Sequence, residues 1–150
     1  MPALAVALTG NPNTGKSTIF NELTGAHQKI GNWPGVTVDK KVGYVTYKGR
    51  TISVVDLPGT YSINAHSQEE VVVSDYFKEN KPDIVVNIVD ASNIARNLFL
   101  TVQLMENGIP LIINLNMMDE AKRQGIKIDP LFTEQVNVIY NEYILQESTY

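Results

Sequence analysis

Three short polar motifs in this 150-residue chain combine residue types that can bind and cleave a phosphate ester. The first is Gly10-Asn11-Pro12-Asn13-Thr14-Gly15-Lys16-Ser17, which follows an apolar run from Ala3 to Leu8 and precedes the amphipathic segment Thr18–Gly25. An apolar strand, a glycine-rich loop ending in Gly-Lys-Ser and a helix together make a phosphate-binding loop. Consecutive backbone N–H groups of such a loop point inward at the positive end of a helix, where anions are favoured. Lys16 is placed to reach β- and γ-phosphates, and the Ser17 hydroxyl to ligate Mg²⁺.

The second motif, Asp56-Leu57-Pro58-Gly59, ends a β-rich run abruptly. Asp56 suits a Mg²⁺ ion held through a water. Gly59 suits a backbone N–H offered to a γ-phosphate, because a residue without Cβ permits the close approach. Thr37, in the glycine-rich loop after the first helix, has a hydroxyl that could complete the Mg²⁺ shell; a threonine there is also an ordinary strand former. The third motif is Asn116-Met117-Met118-Asp119. A carboxylate accepts two parallel hydrogen bonds, and the guanine edge supplies two donors, N1–H and N2–H₂. Adenine presents an acceptor at N1 and cannot satisfy that pair, so Asn116 and Asp119 point to guanine.

The elements that must position these motifs follow from periodicity and breakers. Strands are expected at 3–8, 51–56, 83–89 and 110–115, with an extended segment over 36–47 joined to 51–56 by the turn Lys48-Gly49-Arg50 as a hairpin. Helices are expected at 16–24, where Ile19, Phe20 and Leu23 share a face, and at 68–79. A third helix runs over 94–107 with Leu98, Val102 and Met105 at helical spacing, and a short one covers 120–124. Residues 28–35 read as a loop, since Gly31-Asn32-Trp33-Pro34-Gly35 cannot continue a helix. The stretch 136–145 reads equally as strand or helix. Strands alternating with helices predict a three-layer α/β fold with a mostly parallel central sheet, whose ligands bind beyond the carboxyl ends of the strands. All three motifs fall at those ends.

Composition excludes several functions. The net charge is −4 with no basic tract, which leaves nucleic acid without an electrostatic footprint. There is no cysteine, so disulfides, thiolate metal sites and cysteine nucleophiles are excluded. The apolar runs are too short to span a bilayer, and no signal-peptide pattern opens the chain. His27 and His66 are isolated, which argues against iron binding by this segment.

Gly10–Ser17, Gly31-Asn-Trp-Pro-Gly35-Val36-Thr37-Val38, Asp56-Leu-Pro-Gly-Thr-Tyr-Ser62, Asp90-Ala-Ser-Asn-Ile-Ala-Arg-Asn-Leu98 and Asn114-Leu-Asn-Met-Met-Asp119 resemble the N-terminal G domain of FeoB, the prokaryotic ferrous-iron transporter family. The resemblance runs from about Leu4 to Asp129. It implies a Ras-like P-loop GTPase fold over residues 1–129, which binds GTP or GDP with Mg²⁺. Residues 130–150 would be either the end of that domain or the start of a following helical domain. It also implies a place on the cytoplasmic face of the cell membrane, attached to the helical and transmembrane parts of a transporter, where GTP regulates ferrous-iron transport. A homo-oligomer stays open. By resemblance Gly10–Ser17 is the G1 loop, Thr37 the switch I threonine, Asp56–Gly59 the G3 motif and Asn116–Asp119 the G4 motif, with Thr18, Gly35 and Val36 also at the nucleotide. Asn13 in Gly-x-x-Asn-x-Gly-Lys would help bind K⁺ where an arginine finger otherwise supplies charge. Thr60 stands where Ras-like proteins carry the glutamine that orients water, and is too short for that role. Slow turnover resting on Asn13, Lys16, Thr37 and Gly59 is the expectation, with a purely nucleotide-sensing module as the alternative.

Overall fold

Predominantly apolar segments take the middle of the sheet, where both faces are covered. β1 (Leu4–Gly10), β5 (Ile84–Asp90) and β6 (Leu111–Asn116) lie side by side and parallel, with Leu8 opposite Val86 and Val86 opposite Ile112. The full order adds β2 (Gln28–Asn32), β3 (Asp39–Tyr47), β4 (Arg50–Asp56) and β7 (Val138–Tyr140) as β2-β3-β4-β1-β5-β6-β7. β4 and β7 join in parallel, while β3 runs antiparallel to both β2 and β4. The sheet is therefore mostly parallel, as expected. The computed structural model describes residues 3–129 and the strand 138–140. Within the stretch 136–145 the described part, β7, is strand; the remainder lies outside the described residues.

Helices α1 (Lys16–Thr24), α2 (Gln68–Glu79), α3 (Ile94–Glu106) and α4 (Met118–Arg123) flank the sheet, with a 3₁₀ turn at Ala91–Asn93 leading into α3. The start of α2 is fixed by a reciprocal cap. The Ser67 hydroxyl accepts from the Glu70 N–H at 3.1 Å, and the Glu70 carboxylate accepts from the Ser67 and His66 N–H groups. One core combines Ala7, Leu57, Val73, Val85 and Tyr76; Leu8, Phe20 and Val54 form another, and Val89, Ile113 and Leu115 a third.

Four expectations are corrected. Residues 28–32 are not loop but the edge strand β2, paired from Gln28–Gly43 to Asn32–Asp39. An edge strand satisfies half its backbone groups through one neighbour, so Gly31 and Asn32 are tolerated there. The extended segment begins as a strand at Asp39, not Val36, because Trp33–Val38 is a turn closed by Trp33 N–H to Val38 O at 2.9 Å. The short helix covers Met118–Arg123, not 120–124. Finally, α3 does not bury Leu98, Val102 and Met105 as a stripe. Val102 and Met105 are half exposed, and the inward face is Asn97, Leu100, Thr101 and Leu104. The sheet beneath presents Asn87, whose Nδ2 donates to Thr101 Oγ1 at 2.7 Å, so the core-facing stripe is partly polar and invisible to an apolar count. On α1, likewise, Phe20 is buried but Leu23 is 49% exposed.

Both ends of the β2–β3 hairpin rest on one residue of α1. Thr24 Oγ1 accepts from Gln28 Nε2 at 2.9 Å and donates to Phe20 O at 2.7 Å. The Thr24 methyl packs directly on Gly43 of β3, which leaves no room there for a Cβ.

Candidate functional site

The carboxyl ends of β1, β4 and β6 converge on one rim, the place where open α/β sheets bind ligands. β1 runs into Gly10 and the loop 11–15, and α1 begins at Lys16. Gly15 takes φ +86° and lies against the Asn116 side chain, so both backbone conformation and space demand glycine. Thr14 Oγ1 donates to Asn11 O at 3.1 Å and tightens the loop. Two backbone bonds lock the end of β4 to the end of β1: Leu57 N–H to Leu8 O and Thr60 N–H to Gly10 O, both at 3.0 Å. They bring Asp56–Gly59 against the phosphate loop.

Lys16 Nζ donates to Asp56 Oδ1, and both side chains are almost fully buried. The ammonium that should meet phosphate and the carboxylate that should meet metal thus satisfy each other. Breaking such a pair by removing one member costs about 3–5 kcal/mol, since the other charge is left buried and uncompensated. A phosphate at Lys16 and a cation at Asp56 would together compensate both charges if the pair opened.

Two adjoining clefts share Lys16, Ser17 and Gly59. One, about 390 Å³, is lined by Asn11, Pro12, Asn13, Gly15 and Thr18. The other, about 370 Å³, is lined by Thr37, Asp39, Lys41, Asp56, Pro58 and Glu69. Ser17, Thr37 and Asp56 line one cleft, and their hydroxyl and carboxylate oxygens are a hard set of the kind Mg²⁺ takes. Asn13 is exposed at φ +62° on the first cleft, with an amide oxygen able to serve a monovalent cation.

At the far end of the rim, Asn116 Nδ2 donates to Thr14 O at 2.8 Å. Met117 takes φ +58° to start α4. Asp119 accepts from Arg123 at 3.3 Å, and Arg123 also contacts Glu120 at 2.6 Å, so a base must draw the carboxylate from an exposed and weak ion pair.

Not every residue assigned to binding turns its side chain to this rim. Leu57 is fully buried in the core, Met118 packs on the Val89–Ile113–Leu115 cluster, and Val36 packs beside Trp33. Asn11 is buried with its amide unpaired among the described residues. Gly35, at φ +74°, supplies the turn before Thr37.

The structure adds contacts that the motifs do not disclose. Trp33 is buried and stands edge-on to Tyr76 of α2, ring centroids 5.9 Å apart. The turn that carries Thr37 is therefore anchored in the core, although its sequence shows few aliphatic residues. After Gly59, Thr60 Oγ1 donates to Ser62 O at 2.6 Å, Ile63 N–H donates to Gln103 Oε1 at 3.0 Å, and Arg96 stacks over Tyr61 at 4.3 Å. A single tryptophan in a Gly-Pro-rich stretch was the one available signal for the anchor.

A glycine-rich loop capped by a helix, a strand-end carboxylate and an Asn-x-x-Asp segment, joined on one rim of a mostly parallel sheet, define a P-loop G domain. The family described as Ferrous iron transport protein B matches residues 4–139, ten residues beyond the Asp129 at which the motif resemblance stops. The chain is 48% identical over 133 residues to the Fe(2+) transporter FeoB of Salmonella typhimurium, covering 86% of this chain and 17% of that protein. The cytosolic domain of L. pneumophila FeoB superposes with a TM-score of 0.86 at 44% identity, covering 91% of this chain and 56% of that one. A GDP-bound S. thermophilus NFeoB variant superposes with a TM-score of 0.84 at 45% identity, covering 92% and 55%. The chain belongs to the ferrous iron transport protein B family and corresponds to its N-terminal G domain. It spans about 17% of the length of the curated relatives it matches. Among the described residues no helix is long and apolar enough to cross a membrane.

Proposed function

We propose that this domain binds GTP and GDP, hydrolyses GTP slowly, and uses the difference between the two states to regulate ferrous-iron transport. The observation that carries the reading is the Asn116–Thr14 bond, which fastens the guanine-selective segment to the phosphate loop. The GDP bound to an S. thermophilus relative supports it. Lys16 and the N–H groups of the loop hold the phosphates, Gly59 senses the terminal one, and Asp119 reads the guanine edge. Ser17, Thr37 and Asp56 would hold Mg²⁺, which would supply charge neutralisation at the phosphates, and Asn13 would hold K⁺, which would supply positive charge where an arginine finger otherwise does. Residues 1–129 carry the nucleotide site, and 130–150 close the domain or lead into a helical one. The domain then sits at the cytoplasmic face of the cell membrane, joined to helical and transmembrane parts; its similarity to the cytosolic domain of L. pneumophila FeoB and to a much longer Fe(2+) transporter supports this reading.

Thr60 favours a second reading, a nucleotide sensor with little turnover. Its hydroxyl is committed to the Ser62 carbonyl, so it orients no water. Multiple-turnover phosphate release separates sensor from enzyme. The guanine assignment is tested by titrating GDP against ADP. A guanine preference above roughly 100-fold, abolished in Asp119→Asn, is expected from two donors left without an acceptor. Equal affinity for the two nucleotides sinks the assignment.

A further inference from the structure

Lys41 is a cation of the site that no motif discloses. It sits on β3 directly opposite Asp56 of β4 in an antiparallel ladder. Directly opposed residues share a face of the sheet, so the two side chains project toward the same cleft. Both line it, together with Lys16 and Thr37. A cross-strand lysine and aspartate would ordinarily pair. Here Asp56 is already bonded to Lys16, and among the described residues no carboxylate lies within salt-bridge distance of Lys41. The lysine is half-buried, so its stem is held while its ammonium has no ion-pair partner among the described residues. Asp39 and Glu69 line the same cleft, yet neither forms an ion pair with Lys41 among the described residues. Lys16 and Lys41 thus stand on opposite sides of Asp56, one from the phosphate-loop wall and one from the sheet wall that carries Thr37, beyond the loop that cradles the inner phosphates.

We propose that Lys41 is a second phosphate-facing cation: its ammonium donates to the γ-phosphoryl oxygens of GTP and distinguishes the triphosphate from the diphosphate. The proposal rests on the guanine-nucleotide reading above and adds to it the residue that recognises the terminal phosphate. Lys16 meets both nucleotides because it emerges inside the loop. Lys41, across the cleft, meets only the group that GDP lacks. No proton moves to or from it; it acts as a fixed charge on a dianionic end that water would otherwise solvate.

The test compares the unaltered chain with Lys41→Gln and Lys41→Arg, using fluorescent GDP and a non-hydrolysable fluorescent GTP analogue. Lys48→Gln, at the far turn of the hairpin, controls for net charge. For Lys41→Gln, GDP affinity should hold within about twofold, while analogue affinity falls about tenfold, the effect of losing one charge-assisted hydrogen bond. Lys41→Arg should recover most of the loss, and Lys48→Gln should leave the analogue-to-GDP ratio unchanged. Raising salt should erode that ratio in the unaltered chain more than in Lys41→Gln. An equal loss for both nucleotides, or no loss for either, overturns the proposal. Failure of the unaltered chain to bind GDP overturns the nucleotide reading itself and is seen before any variant is compared.

Discussion

Asn116 Nδ2 reaches the Thr14 carbonyl at 2.8 Å, a bond between residues 102 positions apart. It makes the base side and the phosphate side of the rim one mechanical unit. Gly15 packs against the same amide, so loop and segment fit only in this arrangement. Replacing Asn116 with alanine should cost about 1–2 kcal/mol of stability through the lost bond and the space it leaves. GDP affinity should fall at least tenfold, since the loop loses its support. Thermal unfolding with and without GDP measures both effects. An unchanged GDP-induced rise in Tm would show that the bond does not organise the site.

Asn13 gives a cation-dependent expectation. Its αL conformation leaves the amide exposed on the first cleft. Exchanging Na⁺ for K⁺ should raise the rate of GTP hydrolysis, and Asn13→Ala should erase the difference while GDP binding stays within a few-fold. Phosphate release measured in the two salts decides it, and identical rates would return Asn13 to a loop-forming role.

The segment after Gly59 is held by α3 through Gln103 and Arg96. Gln103→Ala removes the acceptor of the Ile63 N–H and should speed hydrogen exchange over 61–67 several-fold without touching residues 10–17. In the unaltered chain, GDP against a GTP analogue should change protection in the turn 33–38 and in 61–67, while the paired strand β2 holds. Changes confined to 10–17 and 116–119 would mean that nucleotide binds without switching.

Burial raises the pKa of Tyr76 above the ordinary 10.0. The folded state therefore favours the neutral phenol, and the unfolded chain loses its proton first. The resulting stability is complete below about pH 10 and is lost as pH climbs toward the raised value. Because Trp33 stands edge-on to this ring, alkaline loosening should appear in the fluorescence of the only tryptophan. Tyr76→Phe should remove this contribution to the pH dependence. An alkaline transition identical in the two chains would place its origin elsewhere.

The parts of this molecule that were readable in advance are those in which one residue type has one physical use. Gly15 and Lys16 in a loop between strand and helix, and Asp56 before Pro58-Gly59, each announce themselves locally. The parts that were hidden depend on what lies across the fold. α3 buries Asn97 and Thr101 because Asn87 waits beneath them, and no reading of α3 alone contains that information. Trp33 becomes a core residue only because Tyr76 arrives from a helix more than forty positions later. Lys41 became visible only through its register with Asp56.

Thr24 gives the β2–β3 hairpin a pivot. Gln28 leaves from its hydroxyl and Gly43 returns onto its methyl, so the hairpin is fixed at its root, and the ladder with β4 holds β3 from Lys41 onward. The five residues of β2 make an arm of about 17 Å. Trp33, seated beside Tyr76, pins the far end of that arm. Thr37 thus hangs from a strut held at both ends, and the slack that can move it lies in the turn between Trp33 and Asp39 rather than in the strands.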